Sequence, residues 1–132
     1  MIKENTIMRV SRPTNNLDDI SRMYQQGLGF NVLGHFENHN GFDGIILGHS
    51  NHPYHLEFTH HRGTKVAGEP TSDNLLIFYI DDASDWKRAC DEMASAGFNT
   101  VQSYNPYWDN VGNTFEDIDG YRIVLQNAPW RL

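Results

Sequence analysis

NLDDISRMYQQGLGFN, residues 16–31, and DASDWKRACDEMASAGFN, residues 82–99, carry one pattern twice. Each opens on a capping residue with an acid three places on, Asn16 with Asp19 and Asp82 with Asp85. Such a cap supplies an acceptor to the unpaired N–H groups of a first helical turn. Apolar residues then recur at the same helical offsets, Leu17, Ile20, Met23 and Tyr24 in the first copy, Ala83, Trp86, Ala89 and Cys90 in the second. Both copies run out into Gly-Phe-Asn, at Gly29-Phe30-Asn31 and Gly97-Phe98-Asn99, and glycine is the residue that ends a helix most readily. The periodicity predicts helices over 17–28 and 83–96. A duplicated unit in 132 residues implies one pseudo-symmetric domain with a ligand site between its halves.

Outward from each helix the chain reads as strands. Ile7 to Arg12 is a first strand stopped by Pro13, which cannot donate to a ladder. Strands over 31–36, 45–48 and 54–59 follow the first helix, with a polar turn at His39-Asn40-Gly41. Residues 62–72 are rich in Gly, Pro and Thr and form the expected linker. Leu75 to Ile80 is a strongly apolar strand, and further strands lie near 100–103, 114–115 and 121–126. Each half is one strand, one helix and three strands, which excludes a doubly wound parallel sheet. The expected fold is α+β, two βαβββ modules over 7–61 and 73–127 within a single domain over 1–132, their curved mixed sheets enclosing a cup.

Composition narrows the function. The net charge is −7 with no Lys/Arg block, so neither nucleic acid nor an anionic membrane surface is an expected partner. One cysteine, Cys90, excludes an intrachain disulfide and falls at an inward helical offset, where a buried structural thiol is expected. The sequence shows neither a signal-peptide core nor a span, so a cytoplasmic protein is expected.

Alternation sorts the strand faces. Val10, Leu56, Phe58, Leu76, Phe78, Ile80, Ile123 and Leu125 belong under the helices. Arg9, Ser11, His55, Glu57, Thr59, Leu75, Ile77, Tyr79, Val124 and Gln126 fall on the opposite face, a polar and aromatic lining rather than a packed core. Arg12 counts to the helix side.

Several stretches together resemble one family. Residues 9–17 (RVSRPTNNL), Leu28-Gly29-Phe30 and Leu56-Glu57-Phe58 are similar to the first half of the glyoxalase/bleomycin-resistance/extradiol-dioxygenase proteins, also called vicinal oxygen chelate. Ile80-Asp81-Asp82, Ala96-Gly97-Phe98 and the run from Phe115 to Leu125 resemble the second half, and the match spans nearly the whole chain in order. The resemblance implies a homodimer and four metal ligands, usually His, Gln or Glu, on the first, fourth, fifth and eighth strands. Those places hold Arg9, Glu57, Leu75 and Val124 here. Leucine and valine offer no lone pair and a guanidinium repels a cation, so no metal and no other cofactor is expected. The proline usual in the family's closing hairpin is replaced by Ile118.

The candidate site follows. Arg9 and Glu57 sit where two ligands would meet, so the guanidinium replaces the ion's charge and contacts a ligand oxygen; the competing reading is a structural ion pair. His55 shares a face with Glu57 and is the one histidine kept as a candidate. His49 and His52 lie in a turn around Pro53 without converging on it, and His60 and His61 read as solvated loop residues. Trp108, in the stretch Asn105 to Asp109, and Tyr79 offer flat contact area, while Ser11 and Gln126 are hydrogen-bonding candidates. No nucleophile elbow or phosphate-cradling loop is present. The expected activity is binding of a small anionic or carbonyl-bearing molecule. The alternative is a lyase, isomerase or dioxygenase-type enzyme of the same superfamily. In it Glu57 is a general base or the ligand of a non-standard divalent metal, and Arg9 stabilises an oxyanion.

Overall fold

Strand β1 takes in Met8–Pro13 in the computed structural model, which describes residues 1–68 and 70–131. Pro13 therefore does not stop the strand: it stands in the ladder opposite Thr59. Because β1 is an edge strand, the missing N–H costs no sheet bond there. Helix α1, Leu17–Leu28, follows. Asn16 makes no side-chain cap bond, contrary to the sequence expectation. Its N–H donates to Thr14 Oγ1 at 2.9 Å and its carbonyl accepts from Ile20 N–H at 2.9 Å. Ile20, Met23 and Tyr24 are at most 1% exposed, each burial contributing roughly 2 kcal/mol. Gly29 ends the helix in the left-handed region at φ 70°.

Strands β2 (Asn31–His39), β3 (Phe42–Gly48) and β4 (Tyr54–His61) complete the first sheet, in the order β1-β4-β3-β2. β2 outruns its expected end because register shifts at Val32/Gly34 and Phe36/His39 interrupt the alternation on which its length was read. His60 and His61 lie in β4 rather than in a loop: His60 Nδ1 bonds the Thr14 carbonyl at 3.1 Å and His61 stacks on Phe42 at 4.3 Å. Arg12 passes under α1, donating to the Tyr24 hydroxyl at 2.9 Å, with its guanidinium 4.7 Å from the Phe58 ring centre.

The second sheet repeats the plan. β5 (Leu75–Tyr79), α2 (Ala83–Ser95), β6 (Asn99–Val101), β7 (Gly112–Glu116) and β8 (Arg122–Gln126) give the order β5-β8-β7-β6. Here the cap forms as expected, with Asp82 Oδ2 accepting from Asp85 N–H at 2.9 Å. Ala83 is exposed, so the inward face of α2 begins at Trp86, whose indole N–H donates to the Leu125 carbonyl at 2.8 Å. Cys90 is half-buried rather than buried; desolvation pushes its thiol up. A short 3-10 turn, Pro106–Asp109, precedes β7.

The chain divides into two compact units, Met1–Gln25 with Gly29–Ala67, and Gln26–Leu28 with the chain from Gly68 onward. Residue 69, in the stretch expected to be a linker, lies outside the described residues, as does residue 132 at the end of the expected domain. Two helices over two four-stranded mixed sheets make this an α+β protein of two βαβββ modules.

Candidate functional site

The parallel pairing of β1 with β4 sets Arg9 beside His55 and Ser11 beside Glu57. Since Leu56 and Phe58 are buried on the α1 side, alternation turns these four side chains to the helix-free face of the first sheet. They form one network. Arg9 Nε donates to His55 Nε2 at 2.9 Å and Arg9 Nη1 to Glu57 Oε2 at 3.2 Å, while Ser11 Oγ donates to Glu57 Oε1 at 2.7 Å. An imidazole that accepts at Nε2 carries its proton on Nδ1, so His55 is neutral in this arrangement. Both Glu57 oxygens are engaged and its side chain is 14% exposed, against 45% for Arg9. Arg9 Nη2 has no hydrogen-bond partner among the described residues, leaving a fixed, charged donor at the surface of the cluster.

Beside this cluster the same face turns apolar. Gly48 pairs with His55, Ile46 with Glu57 and Gly44 with Thr59, and β2 adds Gly34 opposite Ile46 and Phe36 opposite Gly44. The glycines lower the floor and neighbouring side chains lie over it. A Cβ on Gly44 would meet the Phe36 ring, 2.6 Å from Cε1, and one on Gly48 would stand 3.4 Å from Leu33 Cδ1. Leu33, Ile46 and Phe36 thus make a shelf next to Arg9. Sequence reasoning missed it, although three glycines inside strands were the available signal.

In the second unit Tyr79 and Gln126 pair across β5 and β8. Tyr79 is 40% exposed and lies against Trp130, ring centres 5.6 Å apart. Gln126 is only 3% exposed, packed across Gly112, and its Oε1 has no hydrogen-bond partner among the described residues. The chain between Val101 and Gly112 covers this face: Ser103 Oγ is bonded to Thr114 Oγ1, and Asp109 Oδ2 accepts from Ser103 N–H at 3.2 Å. Thr114 and Val124 are fully buried. Trp108, on the 3-10 turn, is half-buried and meets Tyr107 edge-on at 4.9 Å.

The donor set does not fit a divalent ion. The Arg9 guanidinium stands between His55 Nε2 and Glu57 Oε2, the lone pairs an ion would use, and Leu75 and Val124 supply none. Among the described residues no three His, Cys, Asp or Glu side chains gather closely enough to hold one. His49 and His52 do meet, with ring centres 4.9 Å apart, against Phe30 and Tyr54, whose phenol burial pushes up. His55 is no part of that group. A groove of about 430 Å³ runs between α1 and β2–β3, lined among others by Ser21, Arg22, Gln25, His35 and Arg62. It lies on the opposite face of the sheet from Arg9. Its Arg62 is forked onto Asp43, which holds that carboxyl below the usual carboxylate range. A second cavity of about 380 Å³ lies beside the turn from β7 to β8.

Comparison with known proteins places this arrangement. Residues 8–59 match the YycE-like N-terminal domain and residues 73–127 the YycE-like C-terminal domain. The chain belongs to the YycE-like family. YycE of Bacillus subtilis (strain 168), an uncharacterized protein, is 43% identical over 121 residues, 92% of this chain and 87% of its own length. The crystal structure of a YycE protein of unknown function from Bacillus subtilis superposes with a TM-score of 0.89 at 41% identity, over 97% of this chain and 93% of that one. The YycE-like fold is also that of the fosfomycin resistance protein FosX from Mesorhizobium loti, with a TM-score of 0.71 at 15% identity over 98% and 94% of the two chains. TnmS3, an antibiotic binding protein from Streptomyces sp. CB03234, has a TM-score of 0.65 at 18% identity over 96% and 98%. This YycE-like chain thus has the fold shared by glyoxalase and fosfomycin resistance proteins, the fold its sequence resemblance implied.

Proposed function

We propose that this YycE-like protein binds a small carbonyl-bearing or anionic molecule on the helix-free face of its first sheet, through Arg9 and without a divalent ion. One observation carries the reading: His55 and Glu57 fix the guanidinium while Nη2 is left to donate outward. A donor held in place before binding loses little freedom when a ligand arrives. Ser11 holds the carboxylate that holds the arginine. Tyr79, Trp108 and Gln126 remain candidate contacts on their own unit. That TnmS3 is an antibiotic binding protein supports small-molecule binding as a use of this fold. The enzymatic alternative, with Glu57 as base, has less support because both of its oxygens are already accepting. No helix of the described residues is long and apolar enough to cross a membrane; a cytoplasmic homodimer completes the proposal.

The test is a calorimetric screen of small ketones, esters and carboxylates against the wild type and Arg9→Met. A charged hydrogen bond contributes about 1.5–3 kcal/mol, so a bound compound should lose at least about 10-fold in affinity on that substitution. Metal content is measured in parallel on untagged protein. Stoichiometric divalent metal that disappears in Glu57→Gln would overturn the reading.

A further inference from the structure

The charge balance and the shelf together narrow the ligand class, on the reading that the helix-free face of the first sheet is the binding face. We infer that the ligand is an uncharged aromatic carbonyl compound, its oxygen on Arg9 Nη2 and its ring on Leu33, Ile46 and Phe36. The Arg9 charge is already matched by Glu57 at 3.2 Å, and His55 is neutral while it accepts from Arg9 Nε. The cluster therefore carries no net charge. A carboxylate placed on Nη2 would bring a second anion close to Glu57, whose side chain is held in place by Ser11. A carbonyl oxygen takes the same hydrogen bond without that repulsion and gives up less hydration on binding.

The apolar side supplies the second half of the argument. Leu33 is 40% exposed although it is a large aliphatic side chain, and Ile46 and Phe36 are half-buried. Register places Ile46 next to Glu57, and Leu33 reaches over Gly48, the partner of His55. The apolar surface thus begins one strand away from the polar cluster. Gly34 has no Cβ, and the nearest atom to that position is Ile46 Cδ1 at 3.6 Å, so a planar group can lie close to the backbone there. The Phe36 ring, seated over Gly44, offers an aromatic edge or face to that group. A small aliphatic carbonyl would use the donor and leave the shelf wet.

The experiment compares 2-acetonaphthone, 2-naphthoate and acetone as probes, by calorimetry and amide chemical shifts on the full chain. The ketone should bind at least about 10-fold more tightly than either of the others, lose about 10-fold in Arg9→Met, and weaken several-fold in Leu33→Ser. Leu33 is exposed enough for its variant to fold, and unchanged shifts along α1 as far as Gln25, in the same unit, check this in the absence of probe. Naphthoate binding more tightly than the ketone, with Arg9 dependence, overturns the inference and leaves the proposed function standing. Ketone binding indifferent to Arg9→Met overturns both. Ketone affinity unchanged in Leu33→Ser, or no better than that of acetone, overturns the aromatic part and with it the inference.

Discussion

At Gly112 a Cβ would run into the Gln126 amide and stand 2.9 Å from the backbone carbonyl oxygen of Leu125. The amide can swing aside, but the carbonyl belongs to β8 and cannot yield without distorting the sheet. Gly112→Ala should therefore destabilise the protein by about 1–3 kcal/mol in urea denaturation, the usual cost of overpacking a closed site. Alternation put Gln126 on the helix-free face but did not give its depth, since alternation assigns faces and not burial. Its burial depends on the chain between Val101 and Gly112 crossing that face, anchored by Ser103, Thr114 and Asp109. Arg9, Ser11, His55 and Glu57 were legible for the opposite reason: two regular strands in parallel register bring them together with no loop involved. Arg12 had no account in the sequence, since only the structure sets the Tyr24 hydroxyl and the Phe58 ring around it.

Among the elements, the two helices differ at their starts despite matching caps in sequence. Asp82 accepts from Asp85 N–H and from Ser84 Oγ, and these bonds hold its carboxyl below the usual range. In the pH interval between its folded and unfolded values, the unfolded chain binds the extra proton. The cap's contribution is thus complete above the unfolded value and lost as pH falls through the folded one. Asp82→Asn keeps an acceptor without the titration. Its urea midpoint should fall less than that of the wild type between about pH 6 and pH 2, and equal losses would contradict the assignment. The helix ends and the apolar stripes were legible because caps, glycines and periodicity are local. The length of β2 was not, since its two register shifts depend on the partner strand β3.

Over the whole molecule, the duplicated pattern was the feature that sequence alone carried furthest, and it gave the order of every strand and helix apart from the 3-10 turn. The segment that joins the two sheets in sequence is exposed around Lys65, and Val66 is tied back by a bond from its N–H to Asn15 Oδ1 at 2.9 Å. Limited trypsin digestion should cut after Lys65 before any site inside a strand or helix, giving fragments 1–65 and 66–132 by mass spectrometry. Earlier cleavage at Arg9 or Arg122 would show that a sheet opens more readily than the connection. The glycine-floored shelf escaped the sequence reading because it needs three strands in register, and no one strand announces it.

The pairing of β1 with β4 has a bearing on how the chain emerges from the ribosome. The first strand has no ladder partner until a segment some 46 residues downstream has been made, as the separation of Arg9 from His55 records. Once His61 has cleared the exit tunnel, every hydrogen bond of that sheet can form from residues already synthesised. The module order thus permits a vectorial assembly: the half that holds Arg9 can complete its sheet while the other is still being translated.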